Sequence, residues 1–182
     1  LEDMSLYLAQ NNYPARIRGT LRDAVTYLWA DYLVNTRFWS PQESTGIYRL
    51  NLEALIDGVP PGGTHPLERL SLVLADLRQW HLEAGRVEAA HQAQLELLSL
   101  LLRHFTNEQD QILLREKLEA LQADLDPGLP WWSFGQWRLA DFLRGEKAPD
   151  SLVKARLAAL QGAQRHPESE GGQLCRRIIA EI

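Results

Sequence analysis

Five histidines, one cysteine and several carboxylates are the side chains of this 182-residue chain that could carry catalysis or bind a metal ion. No two histidines stand four residues apart with a glutamate between them, and one cysteine alone cannot build a multi-cysteine site. We therefore predict no metal site, and we expect the histidines to be structural, facing partner helices or solvent. The histidines are His65, His81, His91, His104 and His166.

The cysteine, Cys175, precedes Arg176 and Arg177, whose positive charges would lower the pKa of its thiol. A catalytic thiol also needs a general base, and no histidine or glutamine partner is in reach by sequence. A lone cysteine on an amphipathic helix is typical of a small buried hydrophobic residue. We interpret Cys175 in that way.

The sequence also lacks the usual catalytic motifs. It contains no phosphate-binding loop, nucleophile elbow or dinucleotide fingerprint. The pair Gly62 and Gly63 lies between prolines, so it does not form a phosphate-binding turn after a strand. We predict that the chain is not an enzyme, with no catalytic residue and no cofactor. Three carboxylates are expected on the solvated face of a helix and not as a general acid/base pair; they are Glu116, Glu119 and Asp124.

An aromatic cluster is the one feature with clear binding potential. Trp131, Trp132, Phe134 and Trp137 fall within seven residues, and tryptophan is enriched at the centres of protein interfaces. One interpretation is that these rings pack a corner of the chain against the core. The other is that they dock a partner, which makes Trp131, Trp132 and Trp137 the candidate protein-binding residues.

Composition restricts the partners. The net charge is −5 and the two signs are interspersed, so no basic stripe is available for a nucleic acid. The most apolar run, residues 95–102, is too short to span a bilayer and contains Glu96, so we predict no membrane insertion. Leucine and alanine are frequent and β-branched residues are sparse, which favours helices over strands.

The elements that position these residues are best indicated by residues 151–182. Small residues at Ala155, Ala159 and Gly162 precede Pro167, which ends the first helix of the segment. This spacing is typical of the second helix of a tetratricopeptide-type hairpin, in which small residues allow close helix packing. We predict an all-α fold, an irregular tetratricopeptide-like array of antiparallel helical hairpins with about eight or nine helices.

Periodicity and capping signals give the other helices. We expect short helices at residues 1–10 and 41–58, and longer ones beginning near Ala15, Pro66, Val87 and Trp131. The loop at residues 59–65 divides the prediction into an N-terminal segment, 1–58, and an array, 59–182. Capping boxes are predicted at residues 40–43 and 106–109. Two buried stripes are expected: Ile17, Leu21, Ala24/Val25, Leu28 and Tyr32 in one helix, and Leu67, Leu70, Val73/Leu74, Leu77 and Trp80/His81 in another.

One segment carries a family resemblance. Residues 164–175 (QRHPESEGGQLC) and 178–182 (IIAEI) resemble a segment of bacterial alpha-macroglobulin-like proteins, and residues 29–33 and 48–50 are similar to that family less specifically. In that family a helical, tetratricopeptide-like region precedes β-domains. The resemblance implies an accessory region of a periplasmic or cell-surface protein that traps proteases. The family's thioester cysteine is followed closely by glutamate and glutamine, whereas Cys175 is followed by two arginines, so no functional residue transfers.

The sequence therefore predicts a non-enzymatic helical scaffold that contacts other domains of its parent chain or a partner protein. Because the chain opens on Leu1 and closes on an apolar turn, we expect it to be an excerpt of a longer protein. The alternatives are a stand-alone, cytoplasmic tetratricopeptide-type adaptor, and a small-ligand binder or enzyme using the Trp131–Trp137 cluster. An open groove favours the scaffold, and an enclosed apolar pocket favours the ligand binder.

Overall fold

The computed structural model describes residues 13–146 and 148–182. All regular secondary structure in these residues is helical, in ten α-helices and two 3-10 turns, which confirms the predicted all-α class. None of the described helices is long and apolar enough to cross a bilayer. The helix predicted at residues 1–10 lies outside the described residues.

The chain divides into two compact units, a first unit Leu1–Thr106 and a second unit Asn107–Ile182. The first unit contains α1 Ala15–Arg18, α2 Leu21–Val34, α3 Pro41–Gly46, α4 Leu52–Ile56, α5 Pro66–Glu83 and α6 Val87–Leu101. The second contains α7 Glu108–Asp124, α8 Trp132–Gly145, α9 Ser151–Arg165 and α10 Glu170–Glu181.

The division differs from the predicted boundary at residues 58 and 59. The predicted loop is present, but the helix before it packs on the helices after it. The hydroxyl of Ser71 in α5 donates to the carbonyl of Leu55 in α4, and Gln94 of α6 donates to the carbonyl of Ile56 at 2.9 Å. These contacts satisfy the last carbonyls of a short helix, so α4 belongs with α5 and α6.

The helix starts follow local capping chemistry. Ser40 and Glu43 form the predicted capping box at the start of α3. The second predicted box is wrong by one residue, because Asn107 and not Thr106 caps α7. Its side-chain oxygen accepts from the backbone N–H of Asp110 at 2.9 Å. Asparagine is among the strongest N-cap residues and leads threonine in preference, which explains the shift.

The α5–α6 hairpin forms as predicted. Gly85 has a φ of +68°, a conformation that glycine adopts without steric cost, and it turns the chain between the two helices. One face of α5 is buried against the core of the first unit, in agreement with the predicted stripe. Its buried apolar members are Leu67, Leu70, Leu74 and Leu77, and His81 extends it.

The stripe predicted for α2 is wrong. Leu21, Val25, Leu28 and Tyr32 are 47–72% exposed, whereas the opposite face, with Tyr27, Ala30 and Leu33, is buried; only Ile17 of the predicted set is buried. The polar residue Asp23 explains the rotation. Its carboxylate accepts a hydrogen bond from Nε2 of His81 at 2.8 Å, and both side chains are 1% exposed. Rotating α2 to bury the predicted stripe would separate this buried pair.

Arg18 joins the start of the first unit to α6. Its guanidinium lies 3.8 Å from the ring centre of Tyr13 and 3.5 Å from that of Tyr27, and it pairs with Glu96 of α6 at 2.6 Å. Cation–π contacts and a largely desolvated ion pair reinforce each other here. Burial raises the pKa of Tyr27, so its ring stays neutral against the arginine.

The second unit consists of two antiparallel hairpins. Arg115 near the start of α7 pairs with Glu146 after α8 at 3.0 Å, and Gln122 near the end of α7 donates to the carbonyl of Trp132 at 2.9 Å. In the same way Ser133 of α8 donates to the carbonyl of Gly162, late in α9, at 2.9 Å. Successive helices therefore run in opposite directions, as their short connections require.

Small residues allow α8, α9 and α10 to approach closely. Ala155, Ala159 and Gly162 are buried as predicted. A Cβ on Gly162 would lie 2.5 Å from Sγ of Cys175. A Cβ on Gly171, in the first turn of α10, would collide with the backbone of Ser133 and Phe134, which cannot move without displacing α8. Gly171 thus sets the distance between α10 and α8.

We expect Gly171→Ala to lower the free energy of unfolding by about 1–3 kcal/mol or more, since it overpacks a backbone contact. The matched control is Gly145→Ala at the end of α8, where a Cβ meets nothing within 4 Å. Because alanine is the better helix former, the control should be neutral or stabilising by up to about 1 kcal/mol. Urea denaturation measures both; equal effects of the two variants would contradict the packing argument.

A buried histidine makes the stability of the first unit sensitive to acid. His91 in α6 is 6% exposed, and neither ring nitrogen has a hydrogen-bond partner among the described residues. Burial, with a smaller contribution from Arg78, lowers the pKa of His91 from 6.5 to about 4. His91 binds a proton more tightly in the unfolded chain than in the folded one. The free energy of unfolding that neutral His91 contributes above pH 6.5 is therefore lost as the pH falls towards 4.

We expect His91 to account for a loss of roughly 3 kcal/mol in the free energy of unfolding across that pH range. His91→Leu removes the titrating group, so its unfolding free energy should fall less between pH 7 and pH 4 than that of the parent. Urea denaturation at several pH values gives both profiles. Parallel profiles would show that His91 is not the group responsible.

Candidate functional site

The second unit contains an open groove between α7 and α9, with α8 as its floor. Its volume is about 420 Å³, and most of its lining is apolar. We call it the α7–α9 groove. Its lining residues are Glu119, Gln122 and Ala123 of α7, Pro127 of the following corner, Trp132, Gln136, Leu139 and Leu143 of α8, and Lys154, Leu157, Ala158 and Gln161 of α9.

The floor of the groove follows from the sequence of α8. Trp132, Gln136, Leu139 and Leu143 repeat at intervals of 4, 3 and 4 residues, which places them on one face of a helix. The face about 120° away carries Trp137, which packs on the buried cluster containing Cys175. Helix α8 therefore has two apolar faces, one in the core and one forming the groove.

The wall formed by α9 continues into a second recess. That recess has a volume of about 530 Å³ and is lined by Pro127, Trp132, Gln161, Gln164 and Arg165. From Lys154 to Arg165 the two recesses together follow α9 for about 16 Å, at 1.5 Å per residue. Nε of Arg165 and Nε2 of His166 both donate to the carbonyl of Pro127, at 3.2 and 2.8 Å, and so hold the corner that closes this end.

Two amides of the groove lining have unused hydrogen-bonding capacity. Gln122 and Gln136 are 4% and 5% exposed, and the side-chain oxygen of each has no hydrogen-bond partner among the described residues. A buried acceptor without a partner costs about 1–3 kcal/mol. Glu119 and Lys154 add one charge of each sign to the lining.

The three predicted binding tryptophans do not share a surface. Trp131 is 2% exposed and stacks on Phe134 with ring centres 4.2 Å apart, so its side chain belongs to the core. Trp137 is half-buried beside Phe134, with ring centres 4.9 Å apart. Only Trp132 lines the groove, where it joins the two recesses. The prediction for Trp131 is thus corrected by burial, and of the three rings the two recesses described above contain Trp132 alone.

The predicted structural histidines have structural partners where the contacts are described. His65 caps α5: Nδ1 accepts from the N–H of Leu67, and Nε2 donates to the carbonyl of Glu43 at 2.8 Å. His65 and His104 both contact the ring of Trp39, at 5.1 Å between ring centres in each case. Among the described residues, no group of three or more His, Cys, Asp or Glu could hold a metal ion.

Cys175 is a buried hydrophobic residue, and its expected electrostatics were wrong. Burial raises the pKa of its thiol to about 12, so the group stays protonated. Arg176 and Arg177 are both exposed, and Arg176 donates to the carbonyl of Pro167. They extend away from the sulfur and do not stabilise a thiolate. The nearest described acceptor of the S–H is the carbonyl of Ser133 at 3.6 Å.

The carboxylates and the recess of the first unit add no catalytic arrangement. Glu116, Glu119 and Asp124 are exposed, as the solvated face of α7 predicts. A polar recess of about 370 Å³ in the first unit includes His65 and Glu68, but both already cap α5. Sequence reasoning missed this histidine cap, although His65 directly precedes a proline and stands three residues before a glutamate, which is the spacing of a capping box.

Comparison with known proteins found no matching protein-family model, no matching curated protein and no matching solved structure. The resemblance to alpha-macroglobulin-like proteins therefore stays a prediction based on residues 164–182. The arguments about function that follow rest on the groove and on the exposed surfaces of the two units.

We expect Trp131→Ala to lower the free energy of unfolding by about 3–5 kcal/mol, because it empties a buried site. Trp132→Ala should cost about 1 kcal/mol or less, since that ring is partly solvated and its backbone carbonyl still accepts from Gln122. Urea denaturation compares the two variants, which differ by one position. A larger loss for Trp132→Ala would mean that its ring, and not that of Trp131, belongs to the core.

Proposed function

We propose that this chain is a non-enzymatic helical scaffold whose α7–α9 groove binds an amphipathic helix from a partner protein or from another domain of its parent chain. The observation that carries the proposal is the open apolar groove floored by the second apolar face of α8. Of the floor residues, Trp132 and Leu139 are partly exposed whereas Gln136 and Leu143 are buried, and Leu157 on the wall is 55% exposed. A partner helix would cover these exposed apolar side chains.

The shape of the groove supports a helical occupant. Helices α7 and α9 flank α8, so a helix laid between them would cover the stripe from Trp132 to Leu143. The length of about 16 Å accommodates roughly three helical turns. Apolar anchors at i, i+3 or i+4, and i+7 would reach Trp132, Leu139 and Leu157, as in other helix-in-groove complexes.

The polar lining defines the rest of the partner's chemistry. The unpaired oxygens of Gln122 and Gln136 call for hydrogen-bond donors, such as the amide or hydroxyl groups of Asn, Gln, Ser or Thr beside the apolar anchors. Glu119 and Lys154 favour a partner that carries one charge of each sign at its edges. This chemistry describes a protein segment and offers nothing for the phosphates of a nucleic acid.

The resemblance supplies the biological setting of the proposal. It makes the chain a tetratricopeptide-like accessory region of a bacterial alpha-macroglobulin-like, protease-trapping protein in the periplasm or at the cell surface. A stand-alone adaptor in the cytoplasm is the alternative setting. The two hairpins of the second unit support the tetratricopeptide-like description, because each helix runs antiparallel to the one before it.

The test uses a displayed library of amphipathic helices of about twelve to sixteen residues, selected on the full chain. Binding of a selected helix, measured by fluorescence anisotropy, should weaken at least about tenfold in Leu157→Glu, which places a charge on the groove wall. Val153→Glu is the matched control on the same helix. Val153 is 62% exposed and does not line the groove, so binding should be unchanged.

Two results would oppose the proposal. Selected helices that bind Leu157→Glu and the parent chain equally well would place their site outside the groove. The small-ligand alternative would be favoured by a different pair of results. The parent chain would bind an apolar dye that Leu157→Glu no longer binds, and the library would yield no binding helix.

A further inference from the structure

The rotation of α2 leaves an apolar stripe on the outer surface of the first unit. Leu21, Val25, Leu28 and Tyr32 follow one another at intervals of 4, 3 and 4 residues, the spacing of one helix face. Leu28 is 72% exposed, and no described residue covers the stripe. Trp29 on the same face and Phe38 beyond the helix end are 45% and 60% exposed. We call these six residues the α2 face.

The aromatic side chains of the α2 face form an ordered stack. The rings of Trp29 and Tyr32 lie 5.2 Å apart and nearly parallel, and those of Tyr32 and Phe38 lie 4.8 Å apart. Side chains held in this way lose little conformational freedom when a partner covers them. Tryptophan and tyrosine are also the residues most enriched at the centres of interfaces.

The charged residues of α2 lie outside the stripe. Arg22 pairs with Asp76 of α5 at 2.6 Å and lies over the ring of Trp80. Asp23 is buried against α5, and Asp31 is exposed at the edge of the stripe. The α2 face is therefore continuous and uncharged. A helix that is apolar on both sides is typical of an element buried on both sides.

We propose that the α2 face binds the α2 face of a second copy of this chain, making a two-fold symmetric dimer. The six side chains expose on the order of 600 Å² of apolar surface, which is large for a monomer. Two such faces in contact bury roughly 1,200 Å² in total, the lower end of a specific interface. The dimer would thus be reversible, with a dissociation constant in the micromolar range.

The order of residues along α2 makes the face complementary to itself. Its first half carries the aliphatic side chains Leu21 and Val25, and its second half carries the aromatic Trp29 and Tyr32. A two-fold axis that sets the helices antiparallel places the aliphatic half of one copy against the aromatic half of the other. No like charges meet across such a contact, because the stripe has none.

A second α2 helix has the same length, about 21 Å, and the same apolar spacing as the α2 face, so it covers the stripe from end to end. Residues 1–12 are the competing occupant, and the experiment distinguishes them from a second copy.

The test is sedimentation velocity of the full chain from about 1 µM to a few hundred µM. The parent chain should show a monomer–dimer equilibrium, and Leu28→Glu should raise the dissociation constant at least about tenfold. Leu157→Glu, which alters the groove of the second unit, should leave dimerisation unchanged, so the two proposals fail separately. Circular dichroism confirms that each variant is folded.

A measurement on the unmodified chain guards against a misfolded variant. Hydroxyl-radical footprinting should show Trp29, Tyr32 and Phe38 becoming protected as the concentration rises. A chain that stays monomeric throughout the range overturns the proposal, as does a dimer that is insensitive to Leu28→Glu and leaves these rings reactive. If deleting residues 1–12 converts a monomeric chain into a dimer, the segment and not a second copy covers the α2 face.

Discussion

The second unit depends on how closely three helix backbones can approach one another. Gly162 and Gly171 have no side chain at the points where α9 meets α10 and α10 meets α8, and Ala155 and Ala159 extend the contact. At this short distance α9 and α10 pack on α8, and the groove lies where α7 and α9 leave Trp132 and Leu139 of α8 partly exposed.

The first unit is arranged around a polar constraint. Asp23 and His81 are hydrogen-bonded to each other and almost completely removed from water, so separating them would leave Oδ1 of Asp23 and Nε2 of His81 without a partner. The free-energy cost of breaking this hydrogen bond fixes the rotation of α2 about its axis. It outweighs the gain from burying the more hydrophobic stripe on the other side of the helix. An apolar surface is left outside the core because a polar pair is inside it.

Each unit thus leaves apolar side chains that it does not fully cover itself. In the second unit they line an open groove beside α8, which suits a helix of different sequence. In the first unit they form the uncharged α2 face, aromatic at one end, which suits another copy of itself. Both surfaces are of the kind that proteins use to contact proteins.

The sequence by itself determined the helical class, most helix ends and the buried faces of α5 and α9, because these follow from periodicity, capping residues and small-residue spacing, which act over a few neighbouring positions. It did not determine which stripe of α2 is buried, nor that Trp131 is in the core while Trp132 lines the groove. Those outcomes depend on contacts between elements distant in sequence: His81 of α5 for Asp23 of α2, and the packing of α7 and α9 around α8 for the two tryptophans. Only the tertiary structure decides which of two apolar faces of one helix is buried. The local sequence shows how hydrophobic each face is, whereas burial depends on which residues of other helices each face can contact.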